Sequence, residues 1–119
     1  YYSSFLFFHM GGHHVLENRF KTKLVNEIEK RFPGCLVLHL DPNEIQGIPD
    51  LLILYEDRWA ALEGKQYVGA RQQPNQAYYI DLMNKMSFAR FIYPGNQEEV
   101  LDELQQSFSS RRTTCISKR

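Results

Sequence analysis

The sequence predicts an α/β domain whose elements run helix, three strands, helix, strand, helix. Three observations predict it. Leu16, Phe20, Leu24 and Ile28 recur every four residues, with Val25 beside them, as the buried stripe of a helix does. Apolar runs at 51–55 and 59–62 bracket the polar trio Glu56, Asp57 and Arg58 and read as a β-hairpin. After Pro74 a second helical period, a short apolar run from Ala89 and a third helical period from Val100 alternate to Phe108.

In chain order, residues 1–14 fit this scheme poorly. Their aromatic crowding has no period that continues into the domain, and His-Met-Gly-Gly-His-His resembles a tag remnant, so the segment is set aside as expression-derived or disordered. His13 and His14 could pair on a metal, but the tag reading is the simpler one. The first helix is expected over 15–31. At about 100° per residue, Glu17 lies within about 20° of Leu24 and Ile28, on the apolar stripe. Either its carboxylate points inward, or it sits in a frayed first turn where acidic groups suit the helix dipole. Lys21 lies near the same face.

Phe32-Pro33-Gly34 ends the helix, and 35–40 reads as a strand with His39 near its exit, in a structural role rather than at a site. Asp41-Pro42-Asn43-Glu44 is turn chemistry, and the loop through Gly47 delivers the chain to Pro49, which stiffens the strand entrance. Asp50 enters the first hairpin strand and Glu63 leaves the second. In an antiparallel hairpin these two positions lie side by side at the end away from the turn. Lys65, two residues past Glu63, shares its face by the strand period. An Asp, a Glu and a Lys therefore converge.

Gly64 inside this strand marks a bulge or the close approach of another group. The polar loop 66–73 contains Arg71, Gln72 and Gln73 and no acidic residue, and with Lys65 makes a phosphate-contact segment. Pro74 suits the first turn of a helix reaching Met86, along which Gln76, Tyr79, Met83 and Met86 share a stripe. Gln76 is either a surface amide or part of the site. Tyr78 or Tyr79 could donate to a phosphate, although an aromatic at this spacing is more often core. A strand over 89–93 closes at Pro94-Gly95. Asn96 followed by Glu99 reads as a capping box for a helix that buries Val100, Leu101, Leu104 and Phe108. Residues 109–119 read as a disordered basic tail.

Paired carboxylates beside an apolar sheet repel each other unless a cation lies between them or they share a proton. Oxygen-only ligation suits Mg²⁺ or Mn²⁺, and an adjacent amine can orient a water or neutralise charge on phosphate. Pro49-Asp50 followed by Glu63-Gly64-Lys65 resembles the PD-(D/E)xK nuclease signature. With Gly47-Ile48 before it, the motif is similar to the VRR-NUC branch and to phage Holliday-junction resolvases, over roughly 15–108. The resemblance implies a restriction-endonuclease-like core, a mixed four-stranded sheet flanked by helices. It implies a metal held by Asp50, Glu63 and the Gly64 carbonyl, with Glu17 as a further ligand, and catalysis assisted by Lys65 and Gln76.

The expected activity is Mg²⁺- or Mn²⁺-dependent DNA endonuclease action. Branched DNA such as Holliday junctions is the preferred substrate and a homodimer the working form, with Lys65, Arg71, Gln73 and Tyr79 on the DNA. The rivals are a restriction-like or general duplex nickase, and a catalytically silent nucleic-acid-binding module of the same fold.

Composition bounds these readings. The 119 residues make one domain, 43% hydrophobic and 24% charged. There is no Gly-rich nucleotide loop and no apolar run near the roughly 20 residues of a membrane span. Cys35 and Cys115 form no metal spacing or disulfide framework, so an intracellular, cytoplasmic setting in a bacterial or phage-infected cell is expected. Net charge is zero, which does not by itself suggest a nucleic-acid binder. Four of the fourteen basic residues, Arg111, Arg112, Lys118 and Arg119, lie in the tail, so DNA binding should be modest and salt-sensitive.

Overall fold

Helix α1 (Gly12–Arg31) lays Leu24 and Ile28, both fully buried, against the sheet. Each such side chain is worth about 1.5–3 kcal/mol in burial, and Leu24→Ala would cost about 2–5 kcal/mol once the cavity is included. The structure is a computed structural model that describes residues 12–110, with side chains from Asn18 onward. Helix α1 begins three residues before the expected start, so Gly12, His13 and His14 belong to it and not to a separate leading segment. The remainder of that segment, the basic tail beyond Ser110, and the side chains of His13, His14 and Glu17 lie outside the described residues.

Phe32 donates its N–H to Ile28 O at 2.9 Å, and Cys35 donates to Phe32 O at 2.9 Å, closing the turn through Gly34, whose φ is +91°. Phe32 is then wedged edge-on between the rings of Tyr55 and Phe108, at 5.4 and 5.1 Å. The chain continues into four strands, β1 (Leu36–His39), β2 (Leu51–Tyr55), β3 (Arg58–Gly64) and β4 (Ala89–Ile92), in the spatial order β1-β2-β3-β4. The pairings β1/β2 and β2/β3 are antiparallel and β3/β4 is parallel, so the sheet is mixed and open. Glu56 and Asp57 alone form the hairpin turn, with Tyr55 opposite Arg58 and Glu56 at φ +56°. That two-residue loop fixes the register of every pair behind it.

On one face Leu51, Ile53, Ala60 and Leu62 meet α1 and the last helix, α3 (Gln97–Ser109), which buries Val100, Leu101, Leu104 and Phe108. Arg31 ties these two helices together, reaching Glu98 at 2.6 Å and Asp102 at 2.8 Å. Helix α2 (Gln76–Met86) covers β3 and β4 from the opposite face, where Ala61 and Ala89 pair in register. β1 is an outer strand and leaves Leu36 and Leu38 exposed.

Several expectations need correction. Arg58 opens β3 and does not belong to the hairpin turn. β4 ends at Ile92, one residue short of Tyr93. Asn96 does not cap α3 with its side chain; its Oδ1 accepts from the Tyr93 N–H at 2.8 Å and its Nδ2 donates to Phe91 O at 3.2 Å. It therefore closes the 3₁₀ turn Pro94–Asn96 instead. Met86 is 65% exposed, because the α2 stripe turns away from the sheet before its last residue. Among the described residues no helix is long and apolar enough to cross a membrane.

Candidate functional site

The β1–β2 loop arrives at Asp50 under tight constraint. Gly47 has φ +92°, and a side chain there would lie 2.7 Å from atoms of Pro74 and Asn75. The loop therefore seats its backbone directly on the N-terminal turn of α2. Pro49 is fully buried behind it. Leu51 pairs with Leu62, so Asp50 and Glu63 are the next opposed pair at the open end of the hairpin.

These two carboxylates cap each other's strand. The Asp50 N–H donates to Glu63 Oε1 at 3.1 Å, and the Gly64 N–H donates to Asp50 Oδ2 at 3.1 Å. The second Glu63 oxygen accepts from Gln76 Nε2 at 3.1 Å. Gln76 Oε1 in turn accepts from Lys65 Nζ at 2.7 Å and from the Gln73 N–H at 2.9 Å. The orientation of the amide is dictated by chemistry, since an ammonium can only donate and a carboxylate accepts. Lys65 Nζ also donates to Arg71 O at 3.1 Å and stands 3.7 Å from Glu63 Oε2. Its backbone N–H binds Ile92 O at 2.8 Å, which ties the end of β3 to β4.

Glu63, Lys65 and Gln76 are all buried, whereas Asp50 is half-buried at the floor of a cleft of about 700 Å³. Burial pushes the Glu63 carboxyl up to about 8, and the nearby Asp50 charge adds to the rise. Lys65, Lys21 and the Asp50 N–H oppose it without cancelling it. Burial thus disfavours the charged form of Glu63 even with two ammonium groups nearby. Each carboxylate oxygen has two lone pairs, so both groups keep acceptor capacity beyond the bonds they make.

Of the residues expected at the site, Asp50, Glu63, Gly64, Lys65 and Gln76 are brought together. Arg71 and Gln73 line the cleft, but main-chain groups make their bonds to the network: the Arg71 carbonyl holds Lys65 and the Gln73 N–H holds Gln76. Tyr79 is half-buried and stacks edge-on with the exposed Tyr78 at 5.0 Å. His39 is exposed opposite Leu51 on the outer strand and is not among the residues lining the cleft. Cys35, half-buried, is unbridged, and burial pushes its thiol up.

Lys21 went unassigned in the sequence. Its ammonium reaches across from α1 to Asp50 Oδ2 at 2.9 Å, where its charge also opposes the rise at Glu63. Gly64 makes room for it, since a side chain there would meet the Lys21 stem at 3.2 and 3.3 Å.

The donor chemistry fits a hard divalent cation. The oxygens belong to two adjacent carboxyl groups that line one cleft, and a cationic group already lies against one of them. Among the described residues no group of three or more His, Cys, Asp and Glu is placed to hold a metal, so water, substrate or main-chain oxygens would complete any shell. Comparison with protein families, with curated proteins and with solved structures gives no match.

Proposed function

We propose that this protein is a Mg²⁺- or Mn²⁺-dependent DNA endonuclease with a restriction-endonuclease-like core. One observation carries the reading: Asp50 and Glu63, thirteen residues apart, line one cleft, with the Glu63 carboxyl pushed up to about 8 by burial and then by the Asp50 charge. The pattern Pro49-Asp50 with Glu63-Gly64-Lys65, similar to the PD-(D/E)xK signature, supports it, as does Gln76 between Glu63 and Lys65.

Asp50 and Glu63, with the Gly64 carbonyl, would hold the ion, and Glu17 on α1 is a candidate further ligand. When bound, such an ion neutralises charge on the scissile phosphodiester and makes water a stronger acid. The chain's own residues do the rest. Gln76 fixes the Glu63 rotamer by donating to Oε2, so that the carboxylate does not have to be ordered at the moment of reaction. Lys65 keeps its ammonium beside Glu63, where it can orient the attacking water and stabilise the negative charge that gathers on phosphorus-bound oxygens. Water adds to phosphorus, the P–O bond to the leaving strand breaks, the water proton passes to solvent, and the departing oxygen takes a proton from solvent to become a hydroxyl.

Branched DNA such as a Holliday junction is the substrate we favour, on the similarity of the Gly47-Ile48-Pro49-Asp50 and Glu63-Gly64-Lys65 pattern to phage Holliday-junction resolvases. Arg71 and Gln73 line the cleft, whereas Tyr79 is not among its lining residues. A homodimer would present two such clefts, and the exposed Leu36 and Leu38 on the outer strand favour association. The rival, a silent nucleic-acid-binding module, is favoured by the bonding of Lys65 to Gln76 and Arg71 instead of to open solvent.

The deciding measurement is cleavage of plasmid, linear duplex and four-way junctions with and without Mg²⁺ or Mn²⁺, using the wild type, Asp50→Ala and Glu63→Gln, with light scattering to fix the oligomer. Metal-dependent products that fall about 100-fold or more in both variants are expected. Equal cutting by wild type and variants rules the reading out.

A further inference from the structure

Lys21 occupies the oxygen of Asp50 that faces the cleft. Its ammonium lies 2.9 Å from Oδ2, the same oxygen that accepts the Gly64 N–H. This ion pair joins α1 to the sheet across the cleft floor, and Lys21 is itself part of the cleft wall. Its position follows from packing. The stem runs along the Cα of Gly64, where a side chain would come within 3.2 Å of it, so the glycine in β3 opens the lane along which the ammonium reaches Asp50. Side-chain exposures of 22% for Lys21 and 26% for Asp50 leave the pair open to exchange with solvent ions.

We infer that Lys21 is a built-in counter-cation that a divalent ion must displace from Asp50, so that this lysine sets the affinity of the site for metal. The inference rests on the metal-binding reading above and adds to it a residue outside the sequence motif. Two cations cannot share one carboxylate oxygen at contact distance without strong repulsion, because like charges a few ångströms apart in a partly desolvated cleft interact at well above thermal energy. Lys21 is long enough to swing away while its helix stays in place. In the absence of metal it shields Asp50 and Glu63 from each other, and in its presence it withdraws into the cleft. The glycine that admits it is therefore tied to metal affinity as well as to packing.

The test is calorimetric titration of Mn²⁺ into the wild type, Lys21→Met and Lys21→Arg, with the melting temperature of each recorded before and after metal. Met keeps the apolar stem over Gly64 and removes the charge; Arg restores the charge. Lys21→Met should bind Mn²⁺ about tenfold tighter, melt lower than the wild type without metal, and gain more on adding it. Lys21→Arg should stay near the wild-type affinity. If the wild type binds Mn²⁺ and Lys21→Met binds it equally or more weakly, the counter-cation role is overturned. If neither binds, the metal reading itself fails and this inference falls with it.

Discussion

Gln76 donates to Glu63 through Nε2 at 3.1 Å while the other end of the same amide holds the Lys65 ammonium at 2.7 Å. One neutral side chain from α2 thus sets the spacing between the acid and the base of the cleft. Both partners are buried, so the amide's two ends cannot be exchanged for water without rearrangement. Gln76→Ala should destabilise the protein by about 2–4 kcal/mol, since hydrogen bonds to charged groups are each worth about 1.5–3 kcal/mol. Urea denaturation at fixed pH measures it. A loss below about 0.5 kcal/mol would show that the network is not mechanically coupled.

The pH dependence follows from Glu63. Its folded-state carboxyl is raised to about 8 from an ordinary 4.5, by burial first and then by Asp50. Between those values the folded state holds a proton that the unfolded chain releases. The resulting stabilisation is complete below about 4.5 and is lost as pH rises through about 8. Metal-free protein should therefore lose on the order of a few kcal/mol between pH 5 and pH 8 from this group. Glu63→Gln should flatten the curve, and saturating Mn²⁺ should restore stability at pH 8. Thermal melts across that range read all three; a wild-type profile that rises toward pH 8 without metal contradicts the assignment.

Two glycines near the site should respond differently to the same methyl group. At Gly47 the added carbon meets backbone atoms of Pro74 and Asn75 at 2.7 Å, and φ is +92°. Neither neighbour can give way, so Gly47→Ala should cost roughly 2–4 kcal/mol. At Gly64 its tight contact is with the flexible Lys21 stem at 3.2 Å, with Asp50 Oδ2 at an ordinary 3.7 Å, and φ is not in the left-handed region. Gly64→Ala should cost less than about 1 kcal/mol. Denaturation midpoints of the two variants check the contrast, and a larger loss at Gly64 would overturn it.

Most of the site could be read from the sequence because a two-residue turn and a strict two-residue period carry its geometry. The sequence pattern offers Arg58 to the turn as well, which would set Asp50 opposite Gly64; with Glu56 and Asp57 alone in it, antiparallel pairing puts Asp50 opposite Glu63. Gln76 was legible as a polar residue on an apolar stripe. Lys21 was not, because what it reaches depends on how α1 is set over β3, and that packing has no signature within the helix itself. The Arg71 carbonyl and the Gln73 N–H were also invisible, being main-chain groups that every residue possesses. Asn96 misled for a different reason. An Asn three residues before a Glu has the same composition whether it starts a helix or folds back on the preceding turn, and here the Tyr93 N–H and the Phe91 carbonyl compete for its amide.

The sheet order β1-β2-β3-β4 has a consequence for how this architecture can grow. Both acidic residues are carried by the inner pair of strands, β2 and β3, and the outer margin of β1 is free of any role in ordering them. Material appended along that margin, whether an additional strand, a fused reader or a twin of the same polypeptide, would enlarge the molecule while leaving the inner geometry as it stands. Diversity can therefore accumulate at the periphery without renegotiating the centre.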